Sequence, residues 1–412
     1  MTFDNPDQFL VQLADLLKSN LGEQPWLAQF VGILLSTVPL VSIFALFFAF
    51  TTWLERKGLA RIQNRIGPNR VGPFGLFQPI ADGIKMLTKE DIVPRVADRF
   101  FHLLAPVLIM IPALVSLTFL TYGRNMTPAP LDAAVLFFFA VTGINTLAVF
   151  VAGWSSRNKY SLLGGMRSVA QMVSYEIPLV LSGVVVAMMV GSLETTSIVE
   201  AQTVGVWMSS GNEGLRILGQ VLGWHVFTPW GFAGFLIFFI AALAETNRSP
   251  FDLPEAESEI VAGYLTEYSG FKFALFFLGE YVAAFSILCL AVILFLGGWN
   301  GPNIAPWWSD DPNALLVPGF VWLFLKMFLL MGVMIWIRGT LPRLRVDQLM
   351  GFAWKFLMPL ALLNVFVAGF CHHVPWYVGW IVGLIVLYGF AKLLERINQP
   401  KRIPRRVYRY AE

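Results

Sequence analysis

The sequence predicts an all-α polytopic membrane protein, with about nine transmembrane helices and one amphipathic surface helix. Three observations indicate this class. First, 57% of the 412 residues are hydrophobic and only 13% are charged, whereas soluble domains average about 25% charged residues. Second, the charges fall between apolar stretches that approach the roughly 20 residues needed to cross a bilayer as a helix. Third, Lys and Arg are concentrated in alternate connecting segments.

The predicted spans follow one another along most of the chain. They lie near residues 31–53, 101–122, 133–154, 175–191, 230–244, 273–298, 315–337, 356–371 and 376–394. With the N-terminus outside, the five inside segments hold 25 of the 29 Lys and Arg residues and the outside segments hold three. Because basic residues accumulate on the cytoplasmic side, this distribution favours nine spans over eight. It predicts an outside extension at 1–29, a membrane domain at 30–394 and a basic cytoplasmic tail at 395–412.

The first inside loop, 55–100, contains the predicted surface helix. Its apolar residues share one helical face: Leu76, Phe77, Ile80, Ala81, Ile84 and Leu87. The opposite face carries Gln78, Asp82, Lys85 and Lys89. This distribution is typical of a helix that lies along a membrane surface.

Charged residues at membrane depth are the candidate functional groups. Glu55 and Arg56 close the first span, and the acidic stretch 244–270 holds six carboxylates against Arg248. The other charged residues within or beside the spans are Glu176, Glu245, Glu280 and Lys326, the last of them mid-span in the seventh. Such groups are costly in hydrocarbon and are therefore functional candidates. Their number predicts a carboxylate-rich cavity that opens to the cytoplasmic side and is suited to proton relay.

Each candidate also has a structural alternative. Glu55, Arg56 and Lys57 could mark the membrane boundary. Glu245 and Arg248 could form an ion pair at a helix end, and Glu280 could pair with Lys326 between neighbouring helices. A solvated loop would account for three alternating carboxylates, Glu255, Glu257 and Glu259. The two Cys and four His residues form no metal-binding pattern, so the sequence predicts no metal site in this chain.

Four ordered segments carry a family resemblance. They are ERKGLARIQNRIGPNRVGPFGLFQPIADGIKMLTKE (55–90), LLGGMRSVAQMVSYEIPL (162–179), LAETNRSPFDLPEAESEIVAGYLTEYSGFKFALFFLGEY (243–281) and RGTLPRLRVDQLMGFAWKFLMPL (338–360). These segments resemble the H-subunit family of bacterial NADH:quinone oxidoreductase, respiratory complex I, whose mitochondrial counterpart is subunit 1 of NADH dehydrogenase. The likeness covers roughly 30–370. The extension 1–29, the loop 193–229 and the ninth span depart from the family pattern.

The resemblance implies a subunit of an enzyme complex in the bacterial plasma membrane, with no complete active site in this chain. Quinone would be the substrate, in a tunnel shared with two peripheral subunits, and adjacent membrane-arm subunits would be further partners. FMN and iron–sulfur clusters would belong to partner subunits. The tunnel and loop residues would be Arg56, Arg65, Asp82, Arg248, Asp252, Glu255, Glu257, Glu259 and Arg338. The proton relay would comprise Glu55, Glu176, Glu245, Glu280 and Lys326.

Two other functions remain open at this stage. One is a homologous membrane subunit of an energy-converting hydrogenase-type complex. Such a subunit would belong to the same class of protein, but its complex would use a different electron donor or acceptor. A stand-alone proton or cation transporter would be expected to show broken helices and paired halves. The sequence shows no internal repeat of that kind, and the intramembrane charges argue against a purely structural anchor.

Overall fold

The fold is helical throughout the part of the chain that the structure describes. The computed structural model describes residues 25–123, 126–202, 222–252, 262–301, 318–374 and 376–397. The long helices are α1 (Pro25–Ile62), α3 (Arg99–Thr118), α4 (Ala134–Ser155), α5 (Lys159–Val190), α7 (Pro229–Glu245), α8 (Gly270–Phe295), α9 (Gly319–Thr340), α11 (Met358–His373) and α12 (Trp376–Ile397). The shorter ones are α2 (Gln78–Thr88), α6 (Thr195–Ala201) and α10 (Val346–Phe352).

Most of the predicted spans lie on helices that are long and apolar enough to cross a membrane. Among the described residues seven such helices occur: α3, α4, α5, α8, α9, the joined α10–α11 and most of α12. The predicted first span lies within the 38 residues of α1, and the fifth lies on the shorter apolar α7. The all-α polytopic class is therefore confirmed, and nine spans remain a prediction.

Two span boundaries differ from those predicted. The helix of the predicted fourth span, α5, begins at Lys159, well before residue 175, because Ser161, Ser168 and Gln171 in its first part are buried against neighbouring protein. The eighth is longer than the predicted 356–371, since a π-helical turn at Ala353–Leu357 joins α10 to α11. Hydropathy windows find the apolar part of a helix and miss polar turns that tertiary contacts bury.

Helix α8 lies at the centre of the bundle. Every residue from Tyr281 to Phe295 except Ala283 is buried. The helix contacts α1, α3, α7 and α9. A helix that is apolar on all faces is the one expected to be surrounded by others. Its central position brings Glu280 and Tyr281, near the end that begins at Gly270, among the ends of several helices.

The predicted surface helix is present as α2 and contacts both α1 and α8. Its apolar face is turned outward, with Ile80, Ile84 and Leu87 all more than half exposed. Its polar face is turned toward α1, where Asp82 accepts a hydrogen bond from Arg56. The predicted division of polar and apolar faces is therefore confirmed.

Candidate functional site

Glu55 is the centre of a buried ionic cluster assembled from four segments. It lies near the end of α1 and is only 5% exposed. One carboxylate oxygen, Oε1, accepts from Arg338 of α9 and, at 3.3 Å, from Nη1 of Arg248, which follows α7. The other oxygen, Oε2, accepts from the hydroxyl of Tyr281 in α8. We call these four residues the Glu55 cluster.

The Glu55 cluster carries an excess of positive charge, because two guanidinium groups share one carboxylate. The guanidinium carbon of Arg248 also lies 4.0 Å from the ring centroid of Tyr281, a cation–π contact. Burial reduces solvent screening of these charges and strengthens their interactions. The cluster is therefore suited to respond when a further charge arrives nearby.

A tight turn after α7 places Arg248 in the cluster. Asn247 adopts a positive φ of 49°, and the backbone N–H of Arg248 donates to Leu243 at 3.1 Å. From α5, the amide group of Gln171 donates to the carbonyls of Ala244 and Phe251, each at 2.7 Å. These bonds hold the backbone on both sides of Arg248, so its guanidinium is directed toward Glu55.

Glu280 lies next to the cluster on α8 and is linked to a tyrosine. The hydroxyl of Tyr264 donates to Oε1 of Glu280 at 2.6 Å. Tyr264 is fully buried in a short turn whose approach to α5 requires a glycine on that helix. A Cβ added at Gly164 would lie 2.5 Å from the Cα of Gly263. This close approach secures Tyr264 against Glu280.

Two further carboxylates, Glu245 and Glu176, are neighbours on packed helices. Glu245 ends α7, is 7% exposed, and its Oε2 has no hydrogen-bond partner among the described residues. Glu176 on α5 is near enough to act electrostatically on Glu245. Gly143 of α4 leaves space for Glu176, because a Cβ at that position would lie 2.7 Å from its Oε1.

The outer parts of the site are more exposed. Arg56 and Asp82 join α1 to the surface helix, with half of the Arg56 side chain exposed. Asp252 is buried and accepts from Nη2 of Arg343 at 3.1 Å. Arg65 is exposed and donates to the side chain of Gln63 at 2.7 Å. Three loop carboxylates, Glu255, Glu257 and Glu259, lie outside the described residues.

Lys326 is separate from the other relay candidates. It is the eighth residue of α9, and its ammonium group donates to the carbonyls of Leu296, Gly298 and Asn300 beyond the end of α8. Leu296 is sixteen residues beyond Glu280, or roughly 24 Å along a helix. The alternative pairing of Glu280 with Lys326 is therefore wrong.

A second structural alternative also fails. Arg248 pairs with Glu55 instead of Glu245, because the turn after α7 directs its guanidinium toward α1. Glu55 is buried among three partners, and a boundary role for Glu55, Arg56 and Lys57 stays untested.

The residues of the site that were not predicted from the sequence include Tyr281, Tyr264, Arg343 and Gly143, together with Gln171 and Gly164, which position others. The sequence offered one signal for each tyrosine: Tyr281 is adjacent to Glu280, and Tyr264 lies in the acidic stretch 244–270. Arg343 lies in one of the segments that carry the resemblance, which was the signal available for it. No sequence signal pointed to Gly143, because its role is to leave space for a side chain on another helix.

These features define a class: a helical membrane protein in which several carboxylates are gathered around the end of a central helix. Comparison with known proteins gives the family. The model of the NADH dehydrogenase family matches residues 35–369, so the chain belongs to that family.

Curated relatives are similar over most of their length. The chain is 44% identical over 353 residues to the second NADH-quinone oxidoreductase H subunit of Koribacter versatilis, covering 81% of this chain and 95% of the relative. It is 44% identical over 350 residues to the H subunit of Brevibacillus brevis, covering 85% and 96%. It is 47% identical over 318 residues to the H subunit of Dehalococcoides mccartyi, covering 77% and 80%. The family predicted from the motifs is therefore confirmed.

Proposed function

We propose that this chain is the membrane subunit of a proton-pumping NADH:quinone oxidoreductase that forms much of the quinone-access tunnel. It would link quinone reduction to proton translocation through its buried carboxylates. The observation that carries this proposal is the gathering of Glu55, Glu280, Glu245 and Glu176 at one end of the bundle, two of them buried. The names of the relatives support membership of the complex.

The position of the surface helix supports a tunnel between α1 and α8. Helix α2 contacts both of these helices, and Arg56 ties it to α1. A quinone has a polar headgroup on an apolar tail. A path that begins at exposed apolar residues of α2 and leads toward Arg56 suits such a ligand.

Reduction of quinone to hydroquinone consumes two electrons and two protons. The resemblance assigns FMN and iron–sulfur clusters to partner subunits, and the described residues contain no group of three or more His, Cys, Asp or Glu able to hold a metal. The residues of this chain would orient the quinone and move protons. Negative charge that develops on the quinone would compete with Glu55 for the guanidinium of Arg248.

We infer the order of the relay from which groups are near enough to interact. Glu280 is near enough to Arg248 of the Glu55 cluster to act on it electrostatically. Glu245, three residues before Arg248, would be the next member of the relay. Glu176 would follow, because it is near enough to act electrostatically on Glu245. Because coupled carboxylates titrate as a group, a change of charge at Arg248 would shift the proton affinity of its neighbours.

We further propose a plasma-membrane location with the N-terminus outside and the C-terminus cytoplasmic. The distribution of 25 of the 29 basic residues among five alternate segments supports this orientation. Reporter fusions at residues 5 and 405 should report opposite sides of the membrane. The same side for both would show that one span is miscounted.

The loops 55–100 and 245–272 would form the docking surface for the peripheral subunits. Their described parts already touch. The hydroxyl of Ser269 accepts from the backbone N–H of Ile92 at 2.8 Å, and Lys272 pairs with Asp91 at 2.8 Å. Irregular loops have backbone N–H and C=O groups that lipid cannot satisfy, so these loops must be covered by protein or by water.

Replacement of Glu280 tests the relay. We expect Glu280→Gln to lower quinone reduction and coupled proton pumping while the complex still assembles, because glutamine keeps the shape and removes the titratable group. Glu395→Gln is a matched control, since the Glu395 side chain is 59% exposed and forms an ion pair with Lys392 three residues before it. Normal turnover and normal pumping in an assembled Glu280→Gln complex would remove Glu280 from the relay.

A further inference from the structure

An apolar groove of about 700 Å³ lies between α1 and α9, beneath the turn that leads to the surface helix. Trp53 of α1 and two residues of α9, Ile335 and Trp336, form its walls, and Phe74 covers it. Phe74 and Trp336 are 74% and 62% exposed. A groove with such exposed apolar residues on a membrane protein faces either lipid or a partner.

Glycines determine the shape of the groove. At Gly58 a Cβ would lie 3.2 Å from Ile335, and at Gly339 it would lie 2.7 Å from Ile62, so α1 and α9 are in close contact at these points. Gly332 also lines the groove, and a Cβ there would meet nothing within 4 Å. The helices therefore touch beside the groove and leave open space at Gly332.

Positive charge marks one end of the groove. Lys57 and Arg61, one helical turn apart, line both the groove and an adjoining cavity of about 310 Å³ that also includes Asn64 and Arg65. Within the described part of the chain, neither Lys57 nor Arg61 forms an ion pair with a carboxylate. An apolar groove thus opens into a cationic cavity.

We propose that this groove binds an acidic phospholipid. Its phosphodiester would lie between Lys57 and Arg61, and its acyl chains would lie against Trp53 and Ile335. Charge-assisted bonds to phosphate would satisfy both cations, and basic pockets between transmembrane helices are known to suit acidic headgroups. A neutral quinone headgroup would offer no counter-charge to either cation, and neither has a carboxylate partner among the residues that the structure describes.

The lipid site is separate from the Glu55 cluster. Lys57 follows Glu55 by two residues and so projects ~200° away around the helix. Glu55 is directed to the interior, toward Tyr281 and Arg248. The proposal therefore does not rest on the proposed relay, and either could fail without the other.

Photolabelling of the intact complex tests the proposal without any substitution. The wild-type complex would be purified in mild detergent, depleted of lipid, and exposed to phosphatidylglycerol carrying a diazirine on one acyl chain. We expect labelled residues in 53–62 and 332–336, and weak labelling by the matching phosphatidylcholine probe. Equal labelling by both probes, or labelling elsewhere only, would overturn the proposal.

Variants then separate charge from shape. Lys57→Gln with Arg61→Gln should reduce labelling roughly thirtyfold at sub-saturating probe, as expected for the loss of two basic side chains that attract an acidic headgroup. Gly332→Leu should reduce it by filling the groove. The matched controls are Lys85→Gln with Lys89→Gln on the surface helix, and Gly369→Leu, where a Cβ also meets nothing within 4 Å. Both controls should label as the wild type does.

Other occupants would give different outcomes, each of which overturns the proposal. Suppression of the label by excess quinone would assign the groove to the quinone tail. A diazirine amino acid at position 336 that crosslinks to another subunit would assign the groove to protein. Unchanged labelling in both Gly332→Leu and the Lys57/Arg61 variant would show that the lipid binds elsewhere.

Discussion

Glu55 and Lys326 are both buried charges, yet their surroundings differ in kind. Glu55 is surrounded by side chains that carry charge or a hydroxyl group: Arg248, Arg338 and Tyr281. Lys326 is surrounded by backbone carbonyls and by the ring of Trp224, whose centroid lies 4.0 Å from its ammonium group. We call this second arrangement the Lys326 cap.

We expect this difference to separate a responsive group from a structural one. Side-chain partners can move, titrate or exchange one partner for another, so the Glu55 cluster can change state. The carbonyls at the end of α8 are fixed by two glycines in positive φ, Gly297 and Gly298. An ammonium group beside them satisfies unpaired carbonyls and complements the negative end of the helix dipole.

The surroundings of the Lys326 cap support the structural interpretation. His225 lies before α7, and its Nδ1 is 2.9 Å from the carbonyl oxygen of Leu294. Burial lowers the pKa of His225, which favours a neutral ring that donates to this carbonyl. Gln202 donates to the carbonyl of Ile293 at 2.8 Å. The end of α8 is thus capped by three side chains.

The largest expected effect comes from breaking the Glu55 cluster. We expect Glu55→Gln to destabilise the subunit by about 3–5 kcal/mol, because two guanidinium groups would lose their shared buried carboxylate. Quinone reductase activity should fall with it. Thermal denaturation of the purified complex, with Glu395→Gln as a control, would measure the loss. An unchanged thermal midpoint would show that solvent or another carboxylate replaces Glu55.

Breaking the Lys326 cap should have a smaller effect, and this effect should be on stability and not on activity. Lys326→Met should cost about 2–3 kcal/mol of stability in total, because the cost of the unsatisfied carbonyls is partly offset when no ammonium group has to be buried. Activity per assembled complex should stay near normal, whereas Lys326→Arg should recover part of the stability. Loss of proton pumping with normal stability would contradict the structural interpretation and return Lys326 to the relay.

The smallest effect on stability is expected at Tyr281. Tyr281→Phe removes one hydrogen bond to a charged group, about 1.5 kcal/mol since Arg248 and Arg338 still bind the carboxylate, and it keeps the ring beneath Arg248. If Tyr281 connects Glu55 to Glu280, pumping per quinone reduced should fall more than stability does. Tyr122→Phe is a matched control, since Tyr122 is also buried and donates to the carbonyl of Leu117 at 2.8 Å. Equal pumping in the two variants would exclude Tyr281 from the relay.

Individual residues show where sequence patterns are sufficient and where they are not. Helical periodicity places Asp82 on the polar face of a surface helix, and it lies there against Arg56. Lys326 and Glu280 share only the property of being charges within apolar stretches, and this property does not bring them together. Hydropathy indicates approximately how deep a residue lies in the membrane. It does not indicate which end of another helix lies beside that residue. The carbonyls that bind Lys326 are backbone groups, which no residue pattern identifies.

The sequence by itself determined the helical membrane fold, the surface helix and the family. These depend on local properties: the length of apolar runs, the period of a helix face and contiguous motifs. The tertiary structure decided which charges meet. Glu55 contacts partners 193 and 283 residues away in the chain, and Arg248 pairs with it although Glu245 is only three residues distant. Such pairings depend on how helices are arranged around α8, and that arrangement is set by packing of the whole bundle.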